Sequence, residues 1–202
     1  MDILNDPTPH ELLTSQLRSL ESHGTDEYRK ALQEVEQEPQ SAEAWFNLGC
    51  ALDGMVSMRN LLLSQLAMLE AAVDDHDGDA ADGEGHDSCE GCSCHPDDDA
   101  PLVLDDKAVE LYQRALESYD KVLSLDPSYY GVHCQKGLIL SYQQRNDEAV
   151  AAFLKAIEAD EDYSAAYYLG HLYKEMGDEA LADKYLAMAQ EGEDSIEDLE
   201  KW

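Results

Sequence analysis

Positive charge is what this chain has least of. Thirteen Lys and Arg stand against 45 Asp and Glu in 202 residues, a formal net charge of −32. Phosphate backbones and anionic membranes repel such a chain, which argues against direct nucleic-acid binding and against membrane association. Long apolar runs are missing too. The densest cluster, Leu61 to Leu63, lies in a polar-interrupted stretch far too short to span a bilayer. The opening residues, MDILNDPTPHELL, carry no basic segment followed by an apolar one, so no secretory signal is expected. Cysteine is sparse and odd in number, five unevenly spaced residues, which speaks against a secreted disulfide framework. There is no strand-like alternation, no Gly-rich phosphate loop and no nucleophile elbow. Acids are so numerous that some pair must lie close, so paired carboxylates single out no catalytic site. The expectation is an acidic, soluble, non-enzymatic protein of the cytoplasm, or of the nucleus in a eukaryote.

What is present is helix-forming sequence. The apolar fraction of 44% suffices for a core. Apolar residues recur at three- and four-residue steps almost throughout. One segment departs from this. Residues 74–100 hold many acids, no Lys or Arg, several Gly and no large apolar side chain. Such a segment cannot bury enough surface to offset its ordering entropy, so it reads as a disordered loop.

An internal repeat gives the architecture. Gly137 matches Gly170, Ala149 matches Ala182 and Ala156 matches Ala189, each 33 residues on. That period marks stacked helical hairpins. The residues resemble the tetratricopeptide repeat (TPR) family, whose pattern runs W-x2-L-G-x2-Y, A-x3-F-x2-A, P. One unit carries Gly137, Leu140, Ala149, Phe153 and Ala156, with Lys136 where the pattern expects Leu; the next carries Leu169, Gly170, Tyr173, Ala182, Leu186 and Ala189. An earlier unit looks split, with Trp45, Leu48, Gly49 and Leu52 in front and Ala115, Tyr119, Val122 and Pro127 behind. About 54 residues are inserted between the halves by comparison with an unbroken repeat. The resemblance covers 42–55 and 111–190, and it implies an all-α, TPR-like helical-hairpin solenoid.

The insert is expected to have helical flanks. Met55, Met58, Leu62, Leu66, Leu69 and Val73 form one stripe, and Leu104, Ala108, Leu111, Ala115, Ser118 and Val122 another. Two such stripes around a polar loop suggest that both helices of the first repeat lengthen into a projecting arm of roughly 27 Å. A separate helix folded back on the repeats is the alternative. The expected organisation is then an N-terminal helical pair (1–41), a split first repeat (42–127), a second repeat (128–161), a third (162–192) and a capping helix with an acidic tail (193–202). Thr25 is a plausible N-cap for the second helix of the N-terminal pair. Ser195 has capping-box character.

Two groups of residues could carry function. Cys89, Cys92 and Cys94, with His95 and His86 and with His76 further upstream, bring thiolates and imidazoles together. These are ligands for zinc, copper(I) or nickel, and C-x2-C lets two sulfurs share one ion. Against this, adjacent Cys94 and His95 do not easily reach one ion, and the nearby aspartates disfavour thiolates. An unstructured loop with exposed thiols is the plainer reading. Covalent haem attachment is dismissed because Gly91 stands where its first Cys should be, and a calcium loop because Val73 holds its first ligand position.

The second group follows from the resemblance, which implies that the first helix of each hairpin lines a concave groove. In that register Phe46 and Cys50, then Cys134, Leu138 and Tyr142, then Tyr167, His171 and Lys174 face the trough. Cys50, Cys134 and His171 are read as small groove residues rather than a ligand set. Family members that capture the Glu-Glu-Val-Asp tail of heat-shock chaperones use Lys and Asn at places held here by Phe46, Cys50, Gln135, Ser164 and Tyr168. That tail is therefore not an expected ligand. The leading expectation is an adaptor or dedicated assembly chaperone that holds a basic segment of a client protein. The rival is a metal-handling protein that uses the Cys/His loop.

Overall fold

The computed structural model describes residues 7–74, 104–160 and 163–199, with side chains described over 7–71, 104–159 and 163–192. These residues form eight helices and, among the described residues, no strand. They are α1 (Pro9–His23), α2 (Asp26–Gln37), α3 (Ala42–Asp74), α4 (Asp106–Leu125), α5 (Val132–Tyr142), α6 (Asn146–Asp160), α7 (Tyr163–Glu175) and α8 (Glu179–Leu199). The all-α expectation holds. The Cys89/Cys92/Cys94 cluster with His86 and His95, and all of the loop read as disordered over 74–100 except residue 74, which ends α3, lie outside the described residues.

The chain divides into two compact units, one of Met1–Gly24 with Ser57–Val103, the other of Thr25–Val56 with Leu104–Trp202. The second unit contains the repeats. Its helices stop and start on local signals. The Asp105 carboxylate accepts from Ala108 N at 3.0 Å and opens α4, while Asp126 and Pro127 end it. Between α5 and α6, Gln144 N bonds Ser141 O at 2.8 Å and Arg145 N bonds Leu140 O at 2.9 Å. Between α7 and α8 the same pair of bonds recurs one repeat later, from Gly177 to Lys174 O at 3.1 Å and from Asp178 to Tyr173 O at 2.9 Å. This helix-ending turn needs one left-handed residue, and the two positions have φ +56° (Gln144) and +82° (Gly177). Glycine occupies it without steric cost, whereas Gln144 does not.

One packing device occurs three times. A Cβ built on Gly137 would stand 2.5 Å from the Phe153 ring, and one on Gly170 would stand 2.7 Å from Leu186 Cγ. One on Gly49 would stand 2.5 Å from the Tyr119 ring. In each case one helix lacks a side chain where the next drives in a large one. Tyr112, Tyr119 and Phe153 are the largest fully buried side chains. Helix α2 joins this unit through the Arg114 guanidinium, which donates to the Tyr28 hydroxyl at 2.6 Å and lies 5.5 Å from the ring centroid.

The other unit contains α1 and the far part of α3. The Thr8 side chain accepts from Glu11 N while the Glu11 carboxylate accepts from Thr8 N, a complete capping box, with Pro9 in the first turn. Arg59 Nε donates to Glu21 at 3.1 Å, and His10 Nε2 lies 3.4 Å from Glu70. As one helix rises from 10 to 21 the other descends from 70 to 59, so the two run antiparallel. Leu20 and Leu62 are buried here.

Three expected details of organisation differ. Lengthening is uneven: α3 reaches 33 residues but α4 only 20, because the Asp105 cap fixes where α4 begins. The far half of α3 pairs with α1, in place of an arm built from both helices of one repeat. The N-terminal helices are divided between the units at Gly24, whose φ of +68° breaks the helix. Among the described residues no separate capping helix begins after Gly192. Helix α8 runs on to Leu199, and Gly192 is seated against Tyr163, where a Cβ would stand 2.1 Å from the ring.

Candidate partner-binding groove

Three first-position helices, α3, α5 and α7, and the α4–α5 loop surround a groove of about 640 Å³. From α3 comes Phe46, from α5 come Cys134, Gln135 and Leu138, from α7 come Ser164 and Tyr168, and from the loop come Asp126, Ser128, Tyr129, Tyr130 and Gly131. The left-handed Gly131, φ +77°, turns the chain into α5 and leaves the two loop tyrosines beside the groove. Aromatic rings form its walls. Phe46 lies 5.2 Å from Tyr129 and 5.8 Å from Tyr119, and Tyr168 stacks on Phe153 at 6.1 Å. Tyr130 is 66% exposed, and Tyr168 38%.

The residues expected in the groove fall into three places. Phe46, Cys134 and Leu138 line it, although Cys134 is nearly fully covered. Tyr167 and His171 form a contact of their own on α7, with ring centroids 4.4 Å apart, and Lys174 is exposed in the last turn of that helix. Cys50 and Tyr142 belong to a cluster where α3, α4 and α5 meet. There the Tyr119 hydroxyl donates to Cys50 Sγ at 3.5 Å, and Tyr142 stacks on Tyr112 at 6.2 Å. Burial pushes the Cys50 thiol up, and the charge of Asp53 adds to the shift. A thiol held protonated is a poor metal ligand and a poor nucleophile. Among the described residues no three His, Cys, Asp or Glu side chains come together to hold a metal ion.

Sequence reasoning missed Tyr129, Tyr130 and Asp53. The tyrosines precede α5 and so fall outside any helical period. Pro127-Ser-Tyr-Tyr-Gly131, a turn sequence carrying two aromatics, was the available signal. Asp53 lies one turn past Cys50 on α3, where its charge reaches the Cys50 and Tyr142 cluster, and in the sequence it is one acid among many. Burial raises its carboxyl. Burial also pushes up the Tyr112, Tyr119 and Tyr142 hydroxyls, and the Asp53 charge contributes to each shift.

Residues 130–163 match the tetratricopeptide repeat family model. Among solved structures, the chain is similar to a thermophilic TPR protein of Thermus thermophilus. That match has a TM-score of 0.56 and 17% identity, and it covers 92% of this chain and 75% of the other. MamA (TM-score 0.43, 15% identity, 96% and 99% covered) and residues 41-end of MamA from Desulfovibrio magneticus RS-1 (0.41, 17%, 92% and 96%) lie further away. No curated protein matches the sequence. No described helix is long and apolar enough to cross a membrane. Residues 130–163 thus carry the family's repeat, and the fold of the chain is similar to that of a solved TPR protein.

Proposed function

We propose that this protein is a non-catalytic adaptor or dedicated assembly chaperone that holds an extended, basic segment of a client protein in the groove of its repeats. The observation that carries this reading is an aromatic-walled groove on a chain of net charge −32. Tyrosine and phenylalanine on a preformed surface bury area at little entropic cost, and the surrounding acids favour cationic partners. Asp126 stands in the lining itself, and the charge of Glu43 reaches Tyr129. The same acidity disfavours nucleic acid, anionic membranes and acidic tails of the Glu-Glu-Val-Asp kind. In this reading α3 and α4 form a first repeat interrupted after its first helix. The recurrence of the Gly49–Tyr119 contact at Gly137–Phe153 supports it. Metal handling by the Cys/His segment has no support among the described residues.

The test is affinity capture at 0.1 M and 0.5 M salt, with wild type and a Tyr130→Ala/Tyr168→Ala variant. Both side chains are exposed, so the helical spectrum should survive. Basic partners should be recovered at low salt, released at high salt, and bound at least about tenfold more weakly by the variant. A salt-insensitive partner set without charge bias, or full binding by the variant, overturns the proposal.

A further inference from the structure

Asp53 is placed as a structural residue would not be. It sits one turn past Cys50 on the side of α3 that faces α4 and α5. Its Oδ1 is buried and accepts no hydrogen bond, and no Lys, Arg or His among the described residues pairs with the carboxylate. The groups around it are Cys50, Tyr112, Tyr119 and Tyr142, all neutral at ordinary pH. The Tyr119 hydroxyl is already committed to Cys50 Sγ. A half-desolvated carboxylate without a partner destabilises the fold, since its lost hydration is not replaced. The Asp53 charge reaches Tyr142, which is backed by the Tyr112 ring at an interplanar angle of 22° and is still 41% exposed. Leu138 lies one turn earlier on α5, on the same face and in the groove lining.

We infer that Asp53 and Tyr142 form a socket for one arginine side chain of the partner segment. The guanidinium pairs with the Asp53 carboxylate through its outer oxygen, Oδ1 being enclosed, while its plane lies against the exposed face of Tyr142 and its methylene stem runs along Leu138. Arginine fits better than lysine because its planar fork both stacks on an aromatic face and meets a carboxylate. This rests on the groove reading and deepens it, by naming the residue that would fix the register of a bound segment.

The probe is N-acetyl-arginine amide, titrated into protein carrying ¹³C in its aspartate carboxyl and tyrosine ring positions, with N-acetyl-norleucine amide as the uncharged counterpart. The Asp53 carboxyl and the Tyr142 ring should shift saturably with the arginine probe and not with norleucine. Asp53→Asn should keep its helical spectrum and weaken the saturable shift about tenfold or more. Glu158→Gln, at an exposed acid on α6 away from the groove lining, should leave it unchanged. Equal shifts at exposed acids, or an undiminished Tyr142 shift in Asp53→Asn, overturn the socket. The two readings fail separately. If Tyr130→Ala/Tyr168→Ala loses captured clients while Asp53→Asn keeps them all, the groove stands and the socket falls. If the arginine probe seats at Asp53 while clients ignore the groove variant, the groove reading falls instead.

Discussion

The repeats from α5 to α8 and the pairing of α1 with the far half of α3 are both helices laid side by side, but they are held by different means. In the repeats a glycine on one helix receives a large side chain of the next, so the backbones approach closely. Between α1 and α3 the described contacts are two ion pairs, one of them largely exposed, with few fully covered apolar residues. Close packing of this kind tolerates little change in volume, whereas ion pairs near solvent are screened and individually weak. The repeats should therefore carry the cooperative stability of the chain, and the α1–α3 pair should open first.

The sharpest way to break this comparison is to empty one core position in each region. Phe153 is fully buried, and Phe153→Ala should cost about 3–5 kcal/mol, read as a lower urea midpoint at constant m. Leu62 is also buried, but its loss should cost only about 2 kcal/mol and raise hydrogen exchange in α1 and the far half of α3 alone. If Leu62→Ala unfolds the whole chain as readily as Phe153→Ala, the two regions are one cooperative unit and the contrast is wrong.

Glycines give a second test, smaller in size. Gly137→Ala drives a methyl into the immovable Phe153 ring and should cost about 2 kcal/mol. Gly54 lies in α3 with no neighbouring atom within 4 Å of an added Cβ, so Gly54→Ala should gain about 0.5 kcal/mol from helix propensity. The same substitution with opposite signs would locate the packing device. A loss of equal size at both sites would show that the close contact with Phe153 is not what sets the cost at Gly137.

These contacts explain what the sequence made legible. Gly137, Gly170, Ala149 and Ala182 stand out at a fixed period because close helix contact leaves no other choice of residue, so the hairpins could be read directly. The turn at Gln144 could not be read, because its left-handed residue is a glycine only in the next repeat, at Gly177. The partner of the far half of α3 was also hidden. Met58, Leu61 and Met68 are exposed on that helix while Met55 and Leu62 are buried, so the stripe read through Met55, Met58 and Leu62 was only partly the buried face and did not point to α1. Of the groove, Phe46, Cys134 and Leu138 followed from helical register. Tyr129 and Tyr130 did not, because a loop has no register. Asp53 stands one turn past Cys50, but an unpartnered acid looks like any other acid until its neighbours are known.

The smallest expected effect refines the account of α1 and α3, because the two ion pairs there are not equivalent. The Arg59 side chain is 8% exposed and its partner Glu21 38%, whereas His10 and Glu70 are 53% and 68% exposed. A cation that deep keeps little hydration, so the hydrogen bond lost with Glu21 is only partly replaced by water. Glu21 is itself open enough to be screened, which reduces the effect. Glu21→Ala should therefore cost about 1 kcal/mol, and the cost should persist in 0.5 M salt, since it reflects desolvation of Arg59 more than long-range attraction. Glu70→Ala should cost no more than about 0.3 kcal/mol and should lose even that in salt. Local exchange rates in α1 are the readout, because a change this small in the less stable region would barely move the global midpoint. Equal costs for the two substitutions, both abolished by salt, would show that Arg59 is hydrated in solution and that apolar contact alone joins α1 to α3.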